Sequence, residues 1–371
     1  MIAARRFNRR WLLVAAGGAA LLGLGIAENV LPASAVPDEP ADQLRTRLLA
    51  SATQPYTGLA QATGRLPLPD LPQLEQVTAL LTTTTRIRAF VAAPDRWRVD
   101  ELAIAGERGT YHDGGNESMW DSGTNQLTRV IGTTPVRLPR AADLLPPDLA
   151  RRLVGLSATD PVSVLPARRI AGRSAAGLRV TPGAPDTTVG RVDVWVDPPS
   201  GLPLRVELAG CGDDNPVLIT EMQEVELRAP AEDVLRPTVP PGAGAVTVQA
   251  ADVSGALRVL NAATPPPRLA GRDRMQFTDQ LPGVGVYGGG LSTFALIPLS
   301  GRLADRALQG ATAAGGAPVQ VASGQAVRLG TPLVSMVVRG GVRGGGALLV
   351  GSVDPAVLEQ AARELPTGGR P

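Results

Sequence analysis

Apolar and charged residues alternate along Phe90–Val130, and this alternation organises the prediction of the fold. Trp97 and Val99 fall on one side of the alternation, while Arg96 and Arg98 fall on the other. Successive side chains of a β-strand point to opposite faces of a sheet. The pattern therefore predicts a strand with one apolar face and one polar face.

Two turn sequences divide the rest of this stretch. His112–Gly115 and Asp121–Asn125 are rich in Asp, Asn and Gly, which is typical of tight turns between antiparallel strands. Met119-Trp120 and Leu127–Val130 supply the short strands that these turns separate. The sequence thus predicts an antiparallel meander, and its apolar face has to be covered by another part of the protein.

Helical regions accompany the strands. Residues 41–53 carry leucines at helical spacing. Within residues 140–156, Pro146-Pro147 interrupts the pattern, and Asp148 is predicted to cap a second helix. This helix either fills the hollow of the sheet or forms a mobile lid over it. Its leucines on one side are Leu149, Leu153 and Leu156.

Further strands are predicted beyond the second helix. Within one of them, Val192, Val194 and Val196 share a face, with polar residues and Trp195 on the other. Eight or more short strands joined mostly by turns are most simply accounted for by one large antiparallel sheet.

The pattern changes after the Pro- and Gly-rich segment Pro237–Gly244, which is typical of a linker. A small α+β module is predicted beyond it. Its elements are a helix at residues 252–262, two strands in 284–299, a helix at 302–313, a hairpin in 332–353, and a helix that Asp354-Pro355 begins.

The N-terminal segment resembles an export signal. Four arginines within residues 5–10 precede the 17-residue apolar run Trp11–Ala27, and small residues follow at 33–35. The run is short for a membrane-spanning helix, so a cleaved signal is favoured over a retained membrane anchor. The general secretory route and the twin-arginine route both stay open. We expect the remaining chain to lie outside the cytoplasm, in the cell envelope or secreted.

These observations predict four parts of the chain. They are a signal peptide or anchor at residues 1–35, a sheet domain at 36–241, a linker at 242–250, and a small α+β domain at 251–371.

Charge excludes nucleic acid as a predicted partner. The formal net charge of the whole chain is +2, and residues 1–35 contribute four arginines against one glutamate, so the rest of the chain is slightly acidic. A protein that binds phosphate backbones needs a concentrated basic surface. No such stripe is present in the sequence after the N-terminal segment.

The sequence also contains no catalytic or cofactor-binding motif in a suitable context. The chain has no lysine, which excludes a Walker loop, and His112 is its only histidine, in a predicted turn. Gly283–Gly288 matches the dinucleotide fingerprint, but no strand precedes it and no helix follows. Cys211 stands alone in a predicted loop. No enzymatic activity, metal or cofactor is therefore predicted.

The order of three motifs resembles that of the LolA-like and RseB-like envelope proteins. These motifs are Pro94–Val99, Tyr111–Gly114 and Met119–Asp121, and a later hairpin at Val194–Glu207 is similar to one in that superfamily. The resemblance covers roughly residues 41–241. It implies an α+β fold in which a curved, open antiparallel sheet, or half-barrel, holds helices in its concave face. The module after residue 250 resembles the C-terminal domain of the RseB-like regulators.

The resemblance implies two functions. In the first, the half-barrel binds a lipid, a lipoprotein acyl chain or another apolar ligand. In the second, the protein is a regulator whose C-terminal domain contacts a single-pass membrane regulator of the anti-sigma type. Carriers of this superfamily place an arginine before the proline at which Ala93 stands here, which favours the sensor branch. The residues predicted to line the cavity are Trp97, Val99, Trp120, Val194 and Leu153.

Overall fold

The computed structural model describes residues 39–67, 75–104, 106–132, 137–250, 257, 264–277, 281–322, 324–341 and 345–366. The predicted export signal or anchor, and most of the helix predicted at residues 252–262, lie outside these described residues. Within them, no helix is both long and apolar enough to cross a membrane.

Twelve strands form the larger sheet, in the order β12-β6-β5-β4-β3-β2-β1-β11-β10-β9-β8-β7. Neighbouring strands are antiparallel except for β12, which lies parallel to β6. The strands are β1 (Tyr56–Gly64), β2 (Thr84–Ala93), β3 (Arg96–Ala103), β4 (Gly106–Asp113), β5 (Asn116–Asp121), β6 (Gln126–Ile131), β7 (Val162–Ile170), β8 (Arg173–Val180), β9 (Val189–Val196), β10 (Pro203–Gly210), β11 (Leu218–Glu226) and β12 (Gly244–Gln249).

The predicted meander corresponds to β2–β6, and its turns have the expected chemistry. Gly114 and Gly115, between β4 and β5, have φ angles of 55° and 93°, a backbone region that glycine adopts readily. Two details differ from the prediction. The stretch after Trp97 turns once more near Ile104, and His112 lies within β4 rather than in the turn.

The concave side of this sheet holds helices. They are α1 (Ala41–Ala50), continued by a 3-10 turn at Ser51–Thr53; α2 (Glu75–Thr82); a 3-10 turn at Ala141–Leu144; and α3 (Pro146–Leu156). Their apolar side chains meet the alternate residues of the strands. Leu48, Tyr56, Val154 and Val194 are all at most 1% exposed in this one core.

Helix α3 corrects two predictions. Leu145 is its N-cap residue, and Asp148 pairs with Arg151 at 2.7 Å instead of capping the helix. Proline at the first helical positions needs no N–H partner, which explains why the helix begins there. The helix buries Ala150 and Val154 fully; of the three predicted leucines, Leu149 and Leu153 pack half-buried against the core, and Leu156 is 49% exposed.

Arginine–carboxylate pairs cover the opposite face of β7–β11. Trp195 is 2% exposed, and the guanidinium carbon of Arg168 lies 3.9 Å from its ring centroid. Asp193 accepts two hydrogen bonds of 2.7 Å from Arg179, and Glu207 accepts one of 2.6 Å from Arg168. A planar guanidinium can satisfy a carboxylate and lie flat on an aromatic ring, so these nearly buried acids remain paired.

After β11 the chain crosses the polar face of the meander and then adds β12 to the sheet. Arg98 donates a hydrogen bond of 3.4 Å to the carbonyl of Val234 in this crossing segment. Residues 244–249 are then paired with β6. This corrects the linker predicted at residues 242–250, because most of that segment is a strand of the first sheet. The predicted domain boundaries otherwise stay predictions.

A second sheet has six strands in the order β15-β16-β20-β19-β18-β17. Helix α5 (Pro355–Glu364) packs on the face that carries Val337, and helix α4 (Gly301–Ala313) packs on the face that carries Val338. Asp354 accepts a hydrogen bond of 2.8 Å from the N–H of Ala356, which confirms the predicted cap of α5. Strands β17 and β18 were not predicted. The elements are β13 (Arg268–Leu269), β14 (Arg272–Asp273), β15 (Gly285–Gly289), β16 (Ser292–Ser300), α4 (Gly301–Ala313), β17 (Ala317–Pro318), β18 (Ala326–Gly330), β19 (Ser335–Gly340), β20 (Gly345–Gly351) and α5 (Pro355–Glu364).

The predicted fold class is therefore confirmed: a curved, open antiparallel sheet with helices in its concave side, followed by a small α+β unit. The two sheets meet at a short segment between β8 and β9. The hydroxyl of Thr187 lies 2.6 Å from the carbonyl oxygen of Leu291 and 3.0 Å from that of Ser352. Thr188 donates to the carbonyl of Leu333 at 2.6 Å. Leu291 and Leu333, each 5% exposed, belong to the core of the first sheet.

We expect Thr187→Val to lower the free energy of unfolding by about 1–3 kcal/mol, because the isosteric side chain can neither donate to these carbonyls nor accept the hydrogen bond from the N–H of Val189. Denaturant unfolding followed by circular dichroism measures this loss. Thr84→Val is the matched control, since Thr84 is exposed and its hydroxyl contacts only that of Thr63, at 3.2 Å, among the described residues. We expect the control to change stability by less than about 0.5 kcal/mol. Equal losses in both variants would contradict a special role for Thr187.

Candidate functional site

A cavity of about 320 Å³ lies on the concave side of the first sheet, between β2–β3 and α3. The wall formed by β2 and β3, here called the apolar wall, contributes only apolar residues, whereas the wall formed by α3 and the segment before it, here called the charged wall, carries all five charged residues. The apolar residues are Ala52, Val91, Ala93, Pro94, Trp97, Val99, Ala142 and Leu145, and the charged residues are Arg137, Asp143, Asp148, Arg151 and Arg152.

Strand register creates the apolar wall. Tyr56, Val91 and Trp97 lie directly opposite one another on β1, β2 and β3, and Ala89 lies opposite Val99. Paired residues of neighbouring strands share one face of a sheet. The alternation that the sequence displays along β2 and β3 therefore turns a continuous apolar strip toward the helices.

Polar groups hold the indole ring of Trp97 in place. The imidazole of His112 stacks on it with ring centroids 5.2 Å apart, and the guanidinium carbon of Arg140 lies 5.2 Å from its centroid. Arg140 is itself paired with Glu117 at 2.7 Å. Trp97 stays half-buried, so part of the ring faces the cavity. The ring can therefore offer an apolar surface at a fixed position.

Asp143 organises the charged wall. Arg137 donates two hydrogen bonds to it, at 2.6 Å and 2.7 Å, and the N–H of Arg140 donates a third at 3.0 Å. Arg152 adds a contact of 3.3 Å. Burial alone would raise the pKa of this carboxyl, but the hydrogen bonds from Arg137 and Arg140 outweigh burial and lower the pKa to about 2.

The pKa values of Asp148 and Tyr56 are raised, in contrast to that of Asp143. Burial raises the pKa of Asp148 even though Arg151 lies 2.7 Å away and opposes the shift. Burial, and then the negative charge of Asp148, also raise the pKa of Tyr56 well above its usual value. The hydroxyl of Tyr56 is buried and has no hydrogen-bond partner among the described residues. Burial thus favours the neutral form of both groups.

The five residues predicted to line a cavity are not brought together. Trp97 and Val99 line it. Val194 faces the same concave side but is 0% exposed under the helices, and Leu153 packs half-buried against the core. On β4, His112 lies opposite Trp97, whereas Gly109 lies opposite Trp120. His112 and Gly109 are an odd number of residues apart, so the two tryptophans lie on opposite faces of the meander. The register thus corrects the expectation that both tryptophans face one hollow.

The charged wall was missed by sequence reasoning. Arg151 and Arg152 follow Asp148 on α3, a spacing common on any solvated helix. Arg137 and Asp143 come from the segment that leads into α3, and only its path across the sheet brings them to Trp97. No signal in the sequence marks these residues as neighbours of the meander.

The described residues form neither a metal-binding cluster nor the strand–loop–helix arrangement of a dinucleotide site. No group of three or more His, Cys, Asp or Glu residues there could hold a metal ion. The glycine-rich motif Gly283–Gly288 overlaps strand β15, and strand β16 rather than a helix follows it. Cys211 is exposed, and its thiol lies 3.1 Å from the carbonyl of Thr187.

Asp143→Asn tests the electrostatic balance of the cavity. A carboxyl whose folded-state pKa is about 2, against about 3.8 when unfolded, stabilises the protein by about 2 kcal/mol at neutral pH. This contribution is fully present above about pH 5 and is lost as the pH falls toward 2. At pH 7, we expect urea unfolding to give the variant a free energy of unfolding about 2 kcal/mol below that of the wild type. At pH 3, we expect this difference in the free energy of unfolding to fall by roughly half.

Asp95→Asn is the control for this experiment, because Asp95 is exposed and makes no ion pair with the described residues. We expect no measurable change at either pH. A gap between the wild type and Asp143→Asn that stays constant from pH 7 to pH 3 would contradict the assignment of the low pKa to Asp143.

No protein-family model and no curated protein matches the sequence. Comparison with solved structures, by contrast, finds similar folds. The complex of MucA and MucB from Pseudomonas aeruginosa contains a chain that matches with a TM-score of 0.50 and 16% identity, over 89% of this chain and 99% of that one. A structure of MucB in complex with MucA(peri) matches with a TM-score of 0.49 and 16% identity, over 89% of this chain and 100% of that one.

A LolA superfamily protein from Nitrosomonas europaea matches more weakly. Its TM-score is 0.26 and its identity 13%, over 54% of this chain and 99% of that one, which is too low to support a conclusion. At 16% identity, the likeness to the chain in the MucA/MucB complex concerns the fold alone. The predicted resemblance to RseB-like proteins is therefore confirmed at that level: this chain has the two-part fold seen in MucB.

Proposed function

We propose that this protein is a non-catalytic, extracytoplasmic binding protein that receives a lipid, a lipoprotein acyl chain or another apolar ligand. The proposed site is the cavity between β2–β3 and α3. The observation that carries the proposal is the division of this cavity into an apolar wall around Trp97 and a charged wall around Asp143. Such a division fits an amphiphilic molecule better than a wholly polar or wholly apolar one.

The size of the cavity supports a partial insertion of such a ligand. Its volume of about 320 Å³ lies at the lower end of the range for small-molecule sites, which runs from roughly 300 to 1,000 Å³. Burial of each methylene against the apolar wall contributes about 0.8 kcal/mol. Each methylene that the ligand inserts against the apolar wall therefore adds to the affinity.

The charged wall supports a polar end group at the same site. Three guanidinium groups face two carboxylates, and the carboxylate of Asp143 is already paired with Arg137 and Arg152. With both acids ionised, one positive charge remains in excess on this wall, so the wall favours an anionic or hydrogen-bonding group over a cationic one.

Trp97→Asp is the decisive variant. It places a charge on the apolar wall, and we expect at least a tenfold loss of bound lipid, or of affinity for a fluorescent fatty acid. The physical reason is the cost of burying a carboxylate beside hydrocarbon. Native mass spectrometry of the purified protein measures bound lipid, and a fluorescence titration measures affinity.

Trp120→Asp is the matched control, since it makes the same change on the opposite face of the same meander. We expect it to retain the ligand. Circular dichroism establishes that both variants are folded. Equal ligand content in the wild type and in Trp97→Asp, or no fatty-acid binding by the wild type, would refute the proposed site.

A second candidate function is contact with a single-pass membrane regulator of the anti-sigma type. The observation that favours it is the similarity of fold over both sheets to MucB, which was solved in complex with MucA. Leu303 on α4, in the C-terminal unit, is 52% exposed. It offers a position at which contact between this unit and such a partner can be tested.

Photo-crosslinking in cells tests this second function. A photoreactive residue at Leu303 is compared with one at Leu156, which is similarly exposed, at 49%, on the first unit. We expect the probe at Leu303 to capture a single-pass membrane protein and the probe at Leu156 not to do so. Capture at neither position, or equally at both, would count against contact through the C-terminal unit.

A further inference from the structure

The two edges of the twelve-stranded sheet differ in chemistry. The edge strand β7 contains Pro166, and its pairing with β8 is interrupted by a register shift between Leu165 and Arg168. Proline and irregular pairing are the usual means by which proteins prevent an edge strand from pairing further. The β7 edge is therefore protected against addition of another strand.

The edge strand β12 has none of these protections. All six residues of Gly244–Gln249 are exposed, and none of them is charged or is a proline. Val246 is 40% exposed and Val248 is 42% exposed. In the described part of the chain, β12 pairs only with β6. A neutral strand rich in β-branched residues with a free edge is a template for pairing.

The direction of the backbone hydrogen bonds identifies which groups are free. The N–H of Gly244 donates to the carbonyl of Asn125 at 3.0 Å, and that of Ala250 donates to Ile131 at 2.8 Å. Even-numbered residues thus bond inward to β6. In a strand, N–H and C=O groups alternate between the two edges, so the odd-numbered residues Ala245, Thr247 and Gln249 present their groups outward.

We propose that β12 is a contact between two copies of this chain, paired antiparallel about a two-fold axis at Thr247. In this register each Thr247 lies opposite Thr247 of the second copy, and each Val246 lies opposite Val248 of the second copy. The outward groups of Ala245, Thr247 and Gln249 then form roughly six backbone hydrogen bonds. The two sheets join into one continuous sheet.

Self-complementarity is the reason to assign a second copy rather than another protein. A two-fold interface requires that the same surface fit itself when reversed. Valine stands on both sides of Thr247, so reversing the strand puts valine against valine on one face and threonine against threonine on the other. Cross-strand pairs of β-branched residues are favourable, and a neutral strand creates no like-charge pair across the axis.

Charge substitutions at Thr247 test the register. Thr247→Glu and Thr247→Arg each place like charges directly opposite one another, and we expect each to raise the dimer dissociation constant at least tenfold. An equimolar mixture of the two variants is expected to restore the dimer, now with opposite charges paired. Sedimentation velocity and native mass spectrometry of the full chain measure the oligomeric state, and the exposed position keeps folding unaffected.

Cysteine crosslinking supplies a second test, in a Cys211→Ser background that removes the exposed native thiol. Thr247→Cys places two Cα atoms about 5.5 Å apart across the axis, within the range for a disulfide. Val246→Cys is the matched control. In the proposed register the two copies of residue 246 are offset by two residues along the strands, so their Cα atoms lie roughly 8 Å apart, too far for a disulfide. We expect a covalent dimer from the first variant and none from the second.

Three results would overturn the proposal. A wild-type protein that stays monomeric at high concentration would show that β12 does not pair with itself, and would leave its edge to a strand of another protein. A dimer that both charge variants preserve would place the contact elsewhere on the surface. Equal crosslinking at residues 246 and 247 would exclude the two-fold register at Thr247.

Discussion

The structure depends on one constraint: an open antiparallel sheet with a single apolar face has to bury that face with other parts of its own chain. Here α1 and α3 enter the concave side, and Leu48, Val154 and Val194 meet there without solvent exposure. This burial contributes most of the driving force for folding. The candidate site is the part of the concave side, beside Trp97, that these helices leave open.

The polar face of β7–β11 depends on arginine alone for its positive charges, because the chain has no lysine. Asp193 and Glu207 are at most 9% exposed, so each needs a cation that can approach it closely. Arg179 on β8 pairs with Asp193, and Arg168 on β7 pairs with Glu207 and also covers Trp195 with its planar group. The two faces of one sheet are thus covered by different means, one by helices and the other by paired charges.

The local sequence pattern was sufficient to predict those features of the structure that depend on neighbouring residues. The alternation along β3 placed Trp97 and Val99 on the helix-covered face, and Asp354 caps its helix as predicted. Trp120 was misplaced because alternation does not carry across a turn. Which face a residue of β5 occupies depends on the length of the connections that join β3 to β4 and β4 to β5.

Contacts distant in sequence explain the remaining failures. Strand β12 follows a proline-rich segment typical of a linker, yet it pairs in parallel with β6, which lies more than a hundred residues earlier. Arg137 and Asp143 reach the cavity only because the segment before α3 crosses the sheet. Neither arrangement leaves a periodic signal in the sequence, since each depends on the path of the whole chain.

The side chains at the junction have a consequence for how the protein unfolds. Leu291 and Leu333 belong by chain position to the second unit, yet both are buried in the core of the first. Pulling the units apart would expose these leucines and uncover the carbonyls that Thr187 and Thr188 satisfy. The two sheets therefore share a hydrophobic boundary layer, and heating should melt them as a single cooperative body.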